Sequence, residues 1–211
     1  MGVLRRAFTK HLAESKGVVE QEFGISLGKL GAYPIWQFSV REFRWSNDSS
    51  LRDNLDSIIH EAYDSVYTLK HPDIYESAKA GNRGVYYSNS PLTKDFSEAK
   101  ARHILFHELY HIALPRYAGH EDICSENWCT CISELIDESF AEYMALRIMK
   151  KKFNHIEKSH SLEVEVEWLG HELKTNKVPD NTRSIADFVM KLDGDGYDAI
   201  DAYERYTGPR E

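Results

Sequence analysis

The sequence predicts an α+β fold in which a small mixed sheet is covered by helices. Residues 35–45, IWQFSVREFRW, alternate between apolar and polar side chains, which is typical of a strand with one buried face. Residues 51–70 carry apolar side chains at helical spacing and are expected to form an amphipathic helix packed on that sheet. Before them, residues 1–30 mix short helical patterns with glycines.

The remaining elements follow in chain order. Residues 85–89, VYYSN, are aromatic and β-branched and predict a short strand. A helix is expected from about residue 96 to 114, ending before Pro115 because a proline disfavours helical geometry in the residue that precedes it. A further helix is expected over about 128–151, and residues 153–211 indicate additional helices.

Composition narrows the classes of function. The formal net charge of −8 argues against direct binding to a nucleic-acid backbone, which requires clustered Lys and Arg. The sequence shows no apolar run long enough for a signal peptide or a membrane span. Three cysteines, an odd number, do not suggest a disulfide framework, so we expect a cytoplasmic protein. No Pro/Gly/Ser-rich linker divides the chain, and a single domain over 1–211 is expected.

Three histidines spaced four residues apart mark the stretch ARHILFHELYHIAL: His103, His107 and His111. On a helix, residues four apart lie on one face, so two neighbouring imidazoles can converge on one metal ion. His103 and His111 are two turns apart, roughly 12 Å along the axis at 1.5 Å per residue, which excludes a common ion for all three. A half-buried helix that is rich in histidine and binds no metal is the simplest alternative.

Glu108 decides which pair is the candidate metal site. In the pattern H-E-x-x-H, the glutamate that follows the first ligand is placed to take a proton from a water at the metal. His107 and His111 have Glu108 in that position, whereas the pair His103 and His107 has Ile104 there. We therefore predict His107 and His111 as ligands and Glu108 as the general base, with His103 beside the site.

A third ligand is expected from the next helix, because hydrolytic zinc sites use three protein ligands and leave one position open. Residues 131–149 offer Glu134, Glu138 and Glu142, again four apart on one face. The helical rise excludes all three from one ion, and spacing alone does not choose among them.

The two motifs together resemble the gluzincin metallopeptidases, most closely the ImmA/IrrE-type branch. The resemblance lies in HELYH (107–111) and in the run from Glu138 through Ala141 and Glu142 to Met149, within a match over roughly 84–150. It implies a zincin-like fold with an active-site helix followed by a glutamate helix. It also implies Zn²⁺, with Glu138 as the third ligand and Glu142 orienting a ligand histidine. A register shifted by four would instead make Glu134 the ligand.

The resemblance further implies a zinc-dependent endopeptidase that hydrolyses a peptide bond in a protein substrate, for example a regulatory protein such as a repressor. The strand before the active-site helix would bind the extended substrate along its edge, with Tyr86 or Tyr87 facing the cleft. An alternative is a non-catalytic zinc-bound module that sequesters a partner protein. That alternative rests on Tyr110, which replaces the family's glycine and would crowd the cleft.

Two groups of residues remain without an assigned role at this stage. Donors that could stabilise the oxyanion of the reaction are His103, Tyr110, Tyr143, His155, His160 and His171. Three cysteines with a histidine upstream could form a second zinc site or a redox switch, but their spacing favours structural or surface thiols: His120, Cys124, Cys129 and Cys131.

Overall fold

The computed structural model describes residues 3–35, 78–81, 84–88, 97–120, 134–155, 162–194 and 199–208. Within these stretches the chain forms six helices and three strands. The helices are α1 (Val3–Phe23), α2 (Glu98–Tyr117), α3 (Glu134–Phe153), α4 (Glu163–Thr175), α5 (Thr182–Gly194) and α6 (Ala199–Thr207). The strands are β1 (Gly31–Ile35), β2 (Ala78–Gly81) and β3 (Gly84–Ser88).

The first helix is a single element of 21 residues and not the series of short helical segments expected from the sequence. One stripe of α1, repeating every four residues, is buried against the rest of the protein: Ala7, His11, Ser15, Val19 and Phe23. The helix ends at Gly24, whose φ of 69° is readily adopted only by glycine. Packing of this stripe places α1 along one side of α2.

The second helix carries the HELYH motif. It begins after Ser97, whose side chain accepts a hydrogen bond of 3.0 Å from the Lys100 amide and so caps the helix. The expected end before Pro115 is wrong, because α2 continues to Tyr117 with the proline in its last turn. A proline there costs only one helical hydrogen bond, and its buried ring contributes to the core.

The third helix also packs on α2, and its Phe140 lies beside Phe23 of α1, so the core lies mainly between helices. Helix α3 in turn contacts α4, α5 and α6. The largest fully buried side chains belong to one continuous cluster: Phe8, Phe23, Phe106, Tyr110, Phe140 and Trp168. None of the described helices combines the length and the apolar content that crossing a membrane requires.

The three strands lie in the order β1-β3-β2. β1 pairs with β3 in parallel, with Ala32 opposite Val85, and β2 pairs with β3 antiparallel, with Ala80 opposite Val85. The predicted strand over 85–89 is found here as β3. The predicted strand over 35–45, apart from its first residue, and the predicted helix over 51–70 lie outside the described residues.

The prediction of an α+β fold with a mixed sheet under helices is wrong. The described part of the chain is mostly helical, and its strands are only four or five residues long. The helices bury most of their apolar side chains against each other, and the short strands add to this core mainly through Val85, where they contact α1 and α2. The prediction rested on local patterns at 35–45 and 51–70, whereas the described core is built by helices α1, α2 and α3 packing on one another.

Candidate metal centre

Two histidines of α2 point together towards α3. His107 and His111 are one helical turn apart, and their Nε2 atoms lie 3.0 Å from each other. Their side chains are only 14% and 11% exposed. The rings meet edge to face, with centroids 4.7 Å apart, so both Nε2 atoms face one point in space.

Glu138 of α3 completes the group. One of its carboxylate oxygens lies 3.3 Å from His107 Nε2, and the other lies 3.4 Å from His111 Nε2. Within the described stretches, these residues form the group of His, Cys, Asp or Glu side chains that could hold a metal ion. The three residues predicted as ligands therefore lie together.

The spacing of these atoms fits a small tetrahedral cation. Zinc binds histidine nitrogen and carboxylate oxygen at about 2.0–2.2 Å, which puts neighbouring ligand atoms roughly 3.3–3.5 Å apart in a tetrahedron. The two nitrogens lie 3.0 Å apart, and each lies 3.3 or 3.4 Å from one of the two Glu138 oxygens. Two nitrogens and one oxygen are also the donor set of catalytic zinc sites, which leave the fourth position open.

Each candidate ligand histidine is also held by a carboxylate at its other nitrogen. His107 Nδ1 lies 2.9 Å from Glu142 Oε2, and His111 Nδ1 lies 2.8 Å from Asp137 Oδ2. Such contacts fix the tautomer and the ring direction of a metal-binding histidine. Glu142, which was predicted to orient a ligand histidine, thus contacts His107. Sequence reasoning missed Asp137, although its place immediately before Glu138 was a usable signal.

The histidines and carboxylates of the site shift one another's pKa values. Burial alone would lower the pKa of His107, but hydrogen bonds with Glu138 and Glu142 raise it to about 9. The pKa of His111 is likewise raised well above its ordinary value, because the effects of Asp137 and Glu138 outweigh that of burial. Although burial opposes it, the histidines hold the pKa of Glu138 and of Glu142 well below the usual range. The site therefore favours positive charge, as protons or as a cation.

Glu108 follows His107 on α2 and is buried, with 7% of its surface exposed. Its negative charge adds to the raised pKa of His107, after the larger effects of Glu138 and Glu142. A carboxylate near the ligands but outside the ligand group is what the proposed general base requires.

His103 also lies at this site, although it is not part of the group that could hold the ion. Its Nε2 is 3.0 Å from both oxygens of Glu142. His103 therefore contacts the carboxylate that orients His107.

Tyr110 lies away from the candidate metal. Its side chain is fully buried, and its hydroxyl donates a hydrogen bond of 2.8 Å to Glu22. The ring packs against Phe23 and Phe140 in the core. The expectation that Tyr110 crowds a substrate cleft is wrong, because three residues after His107 the helix has turned this side chain towards α1.

The other sequence candidates are spread over the molecule. Tyr143 packs towards Gly170 of α4, His155 follows the end of α3, and His171 is exposed on α4. The structure does not describe residues 121–133 or His160, and the cysteines and His160 therefore lie outside it. His120 is at the end of the stretch that contains α2, and the Glu134 side chain is not among those described.

The predicted substrate-binding strand is placed differently from the expectation. Tyr86 and Tyr87 lie on β3, but their side chains are not among those described. β3 is the middle strand of the described sheet and is paired on both sides, so its prediction as a free edge is wrong. Within the described strands, the outer positions belong to β1 and β2.

No family model, no curated protein and no solved structure matches this chain. The two sequence motifs and the geometry of the site are therefore the observations that bear on function.

Proposed function

We propose that this protein is a zinc-dependent metallo-endopeptidase, with His107, His111 and Glu138 as the zinc ligands and Glu108 as the general base. The observation that carries the proposal is that the Nε2 atoms of His107 and His111 lie 3.0 Å apart and each lies 3.3 or 3.4 Å from one oxygen of the Glu138 carboxylate. A buried glutamate, Glu108, follows the first of these histidines on the helix. The resemblance of both motifs to ImmA/IrrE-type metallopeptidases supports the same reaction class.

Each residue then has a distinct task. A zinc ion bound here would supply Lewis acidity, which lowers the pKa of water and polarises a peptide carbonyl. Glu108 takes the proton of the attacking water and delivers it to the amine that leaves. Asp137 and Glu142 keep the two imidazoles aimed at the ion.

The substrate we propose is a protein or peptide, in the first instance a regulatory protein such as a repressor, and this rests on the motif resemblance. A cytoplasmic setting is proposed with it, supported by the absence of an even set of cysteines. The rival idea of a non-catalytic module loses the observation that favoured it, because Tyr110 is buried in the core.

Metal content and peptide cleavage test the proposal together. The wild-type protein is expected to contain one zinc per chain and to cleave members of a fluorogenic peptide library. Glu108→Gln should keep the zinc and lose about 10²–10⁴-fold in cleavage rate, because only the base is removed. Glu163→Gln, an equivalent change at an exposed position of α4, serves as the matched control and should leave both properties unchanged.

Two results would contradict the proposal. Full activity in Glu108→Gln would exclude this residue as the base. A wild-type chain that binds no zinc, with no difference from His107→Ala in metal content, would exclude the metal centre itself.

A further inference from the structure

His103 has no task in the reaction described above, yet it is buried beside the site. It lies one turn before His107 on α2 and is 7% exposed. Its Nε2 is 3.0 Å from both Glu142 oxygens. The cluster that could hold a metal does not include it.

Glu142 is shared between two imidazoles. Its Oε2 lies 2.9 Å from His107 Nδ1 and 3.0 Å from His103 Nε2, and its Oε1 lies 3.0 Å from His103 Nε2. Because an ionised carboxylate only accepts, both ring nitrogens must donate to it. Glu142 is itself 4% exposed, so removal of His103 would leave a buried carboxylate oxygen short of a donor.

The other ring nitrogen of His103 makes no hydrogen bond to a described residue that would explain why the side chain is buried. Its Nδ1 is buried and has no hydrogen-bond partner among the described residues. The hydrogen bonds found for this side chain all go to Glu142. Among the described residues, the Glu142 carboxylate is therefore the polar group to which the buried His103 side chain is hydrogen-bonded.

We propose that His103 is a positioning residue for the metal centre: it fixes the Glu142 carboxylate, and Glu142 in turn fixes the imidazole of His107. This rests on the proposed function, since it assumes that His107 binds the ion. His103 contacts Glu142, Glu142 contacts His107, and His107 faces Glu138.

Loss of the contact between His103 and Glu142 should weaken binding of the ion. Without a donor on Oε1, the carboxylate of Glu142 can rotate, and the Nδ1–H of His107 loses its fixed acceptor. The ring of His107 then samples directions in which Nε2 no longer faces Glu138. Loss of an orienting partner usually weakens metal binding by 10–100-fold, and His103 acts one contact further away, so we expect about a tenfold effect.

The test compares His103→Gln with His103→Met. The two side chains have nearly the same length and shape, but only Gln carries a donor where His103 has Nε2. Co²⁺ serves as the probe, with its affinity measured by chelator competition and its ligand field by visible absorption. Thermal unfolding of the metal-free variants checks that both fold. His171→Met, at an exposed position, is the control.

The proposal expects His103→Met to bind Co²⁺ about tenfold more weakly with an altered absorption band, and His103→Gln to stay close to the wild type. Equal losses in both variants would show that only packing matters and would overturn it. Unchanged or tighter binding in His103→Met would overturn it as well.

A second measurement separates this proposal from the proposed function. Nitrogen-15 NMR of the metal-free protein reports whether the Nδ1–H of His107 remains hydrogen-bonded. We expect that signal to be retained in His103→Gln and lost in His103→Met. A wild type that takes up no Co²⁺ overturns the metal function, whereas an unchanged His107 signal in His103→Met overturns the positioning role alone.

Discussion

At the scale of single residues, the site depends on which nitrogen of each histidine is occupied. Carboxylates hold the Nδ1 atoms of His107 and His111, at 2.9 and 2.8 Å, and leave both Nε2 atoms to face Glu138. Because a histidine binds a metal through a nitrogen without a proton, this division prepares both rings as ligands.

Substitution of Asp137 tests most directly whether these carboxylates prepare the histidines to bind a metal. We expect zinc affinity to fall from the wild type to Asp137→Asn and further to Asp137→Ala, by about 10–100-fold for the alanine variant. Asn keeps an acceptor for His111 but loses the charge, whereas Ala loses both. Chelator competition measures the affinities, and Asp180→Ala, whose side chain is 83% exposed in the wild type, is the control. Equal affinity in all four proteins would contradict the assigned contact.

The sequence predicted the three residues that the structure brings together, but not all of the side chains that hold them. The fixed helical spacing of His107 and His111, with Glu108 between them, is a local property and could be derived from the sequence. Glu138 needed a resemblance, because spacing left three glutamates equivalent. Asp137 and the burial of Tyr110 depend on how α2 and α3 face each other, which no local pattern specifies.

At the scale of elements, the junction of α1 with the start of α2 carries a cluster of charges. Glu98, in the first turn of α2, lies 2.6 Å from His11 Nε2 and 2.9 Å from Lys10 Nζ, both on α1. The hydrogen bond with His11, followed by that with Lys10, lowers the pKa of Glu98 to about 2.

This lowered pKa predicts an acid-sensitive contribution to stability. A carboxyl group with a folded-state pKa below its unfolded value of 4.5 stabilises the protein above that pH, and the contribution is lost as the pH falls towards about 2. Glu98→Gln should therefore flatten the dependence of the unfolding free energy on pH between 4.5 and 2, measured by urea unfolding. The effect should be small because the Glu98 side chain is 59% exposed.

The matched control is Glu163→Gln, which changes an exposed glutamate in the first turn of α4. It should keep the wild-type slope over the same pH range. The same slope in Glu98→Gln and the wild type would show that the contacts with α1 do not stabilise the fold.

The elements also show where sequence patterns fail. The strand β3 and the helix of the HELYH motif were predicted near their observed positions, because each has a strong local period or composition. The length of α1 was missed, since His11 and Ser15 lie in its buried stripe. Pro115 was expected to end α2, but burial of its ring and of Leu114 outweighs one lost hydrogen bond.

At the scale of the whole molecule, an ion at this centre would join α2 and α3, and these two helices between them contact each of the other four described helices. The fold class was predicted wrongly because the balance of helix and sheet depends on how all the elements pack together, whereas each pattern was read locally.

Zinc should therefore stabilise the whole fold by mass action. At free zinc about 100 times its dissociation constant, the unfolding free energy should rise by about 2.7 kcal/mol. His111→Ala should abolish this gain, and His171→Ala, which changes an exposed histidine, should retain it. Thermal and urea unfolding with and without zinc measure the effect. An equal gain in His111→Ala would mean that zinc stabilises the protein from another place.

The placement of every donor on two packed helices has a consequence for the cycle of metal loading. His107, His111 and Glu138 stand on elements whose other faces are buried in a continuous apolar core, so the donors do not have to be gathered when an ion arrives. Little conformational entropy is then lost on binding. Unlike small zinc domains that unfold without their metal, a chain with the proposed site would keep its shape while an ion is released and bound again.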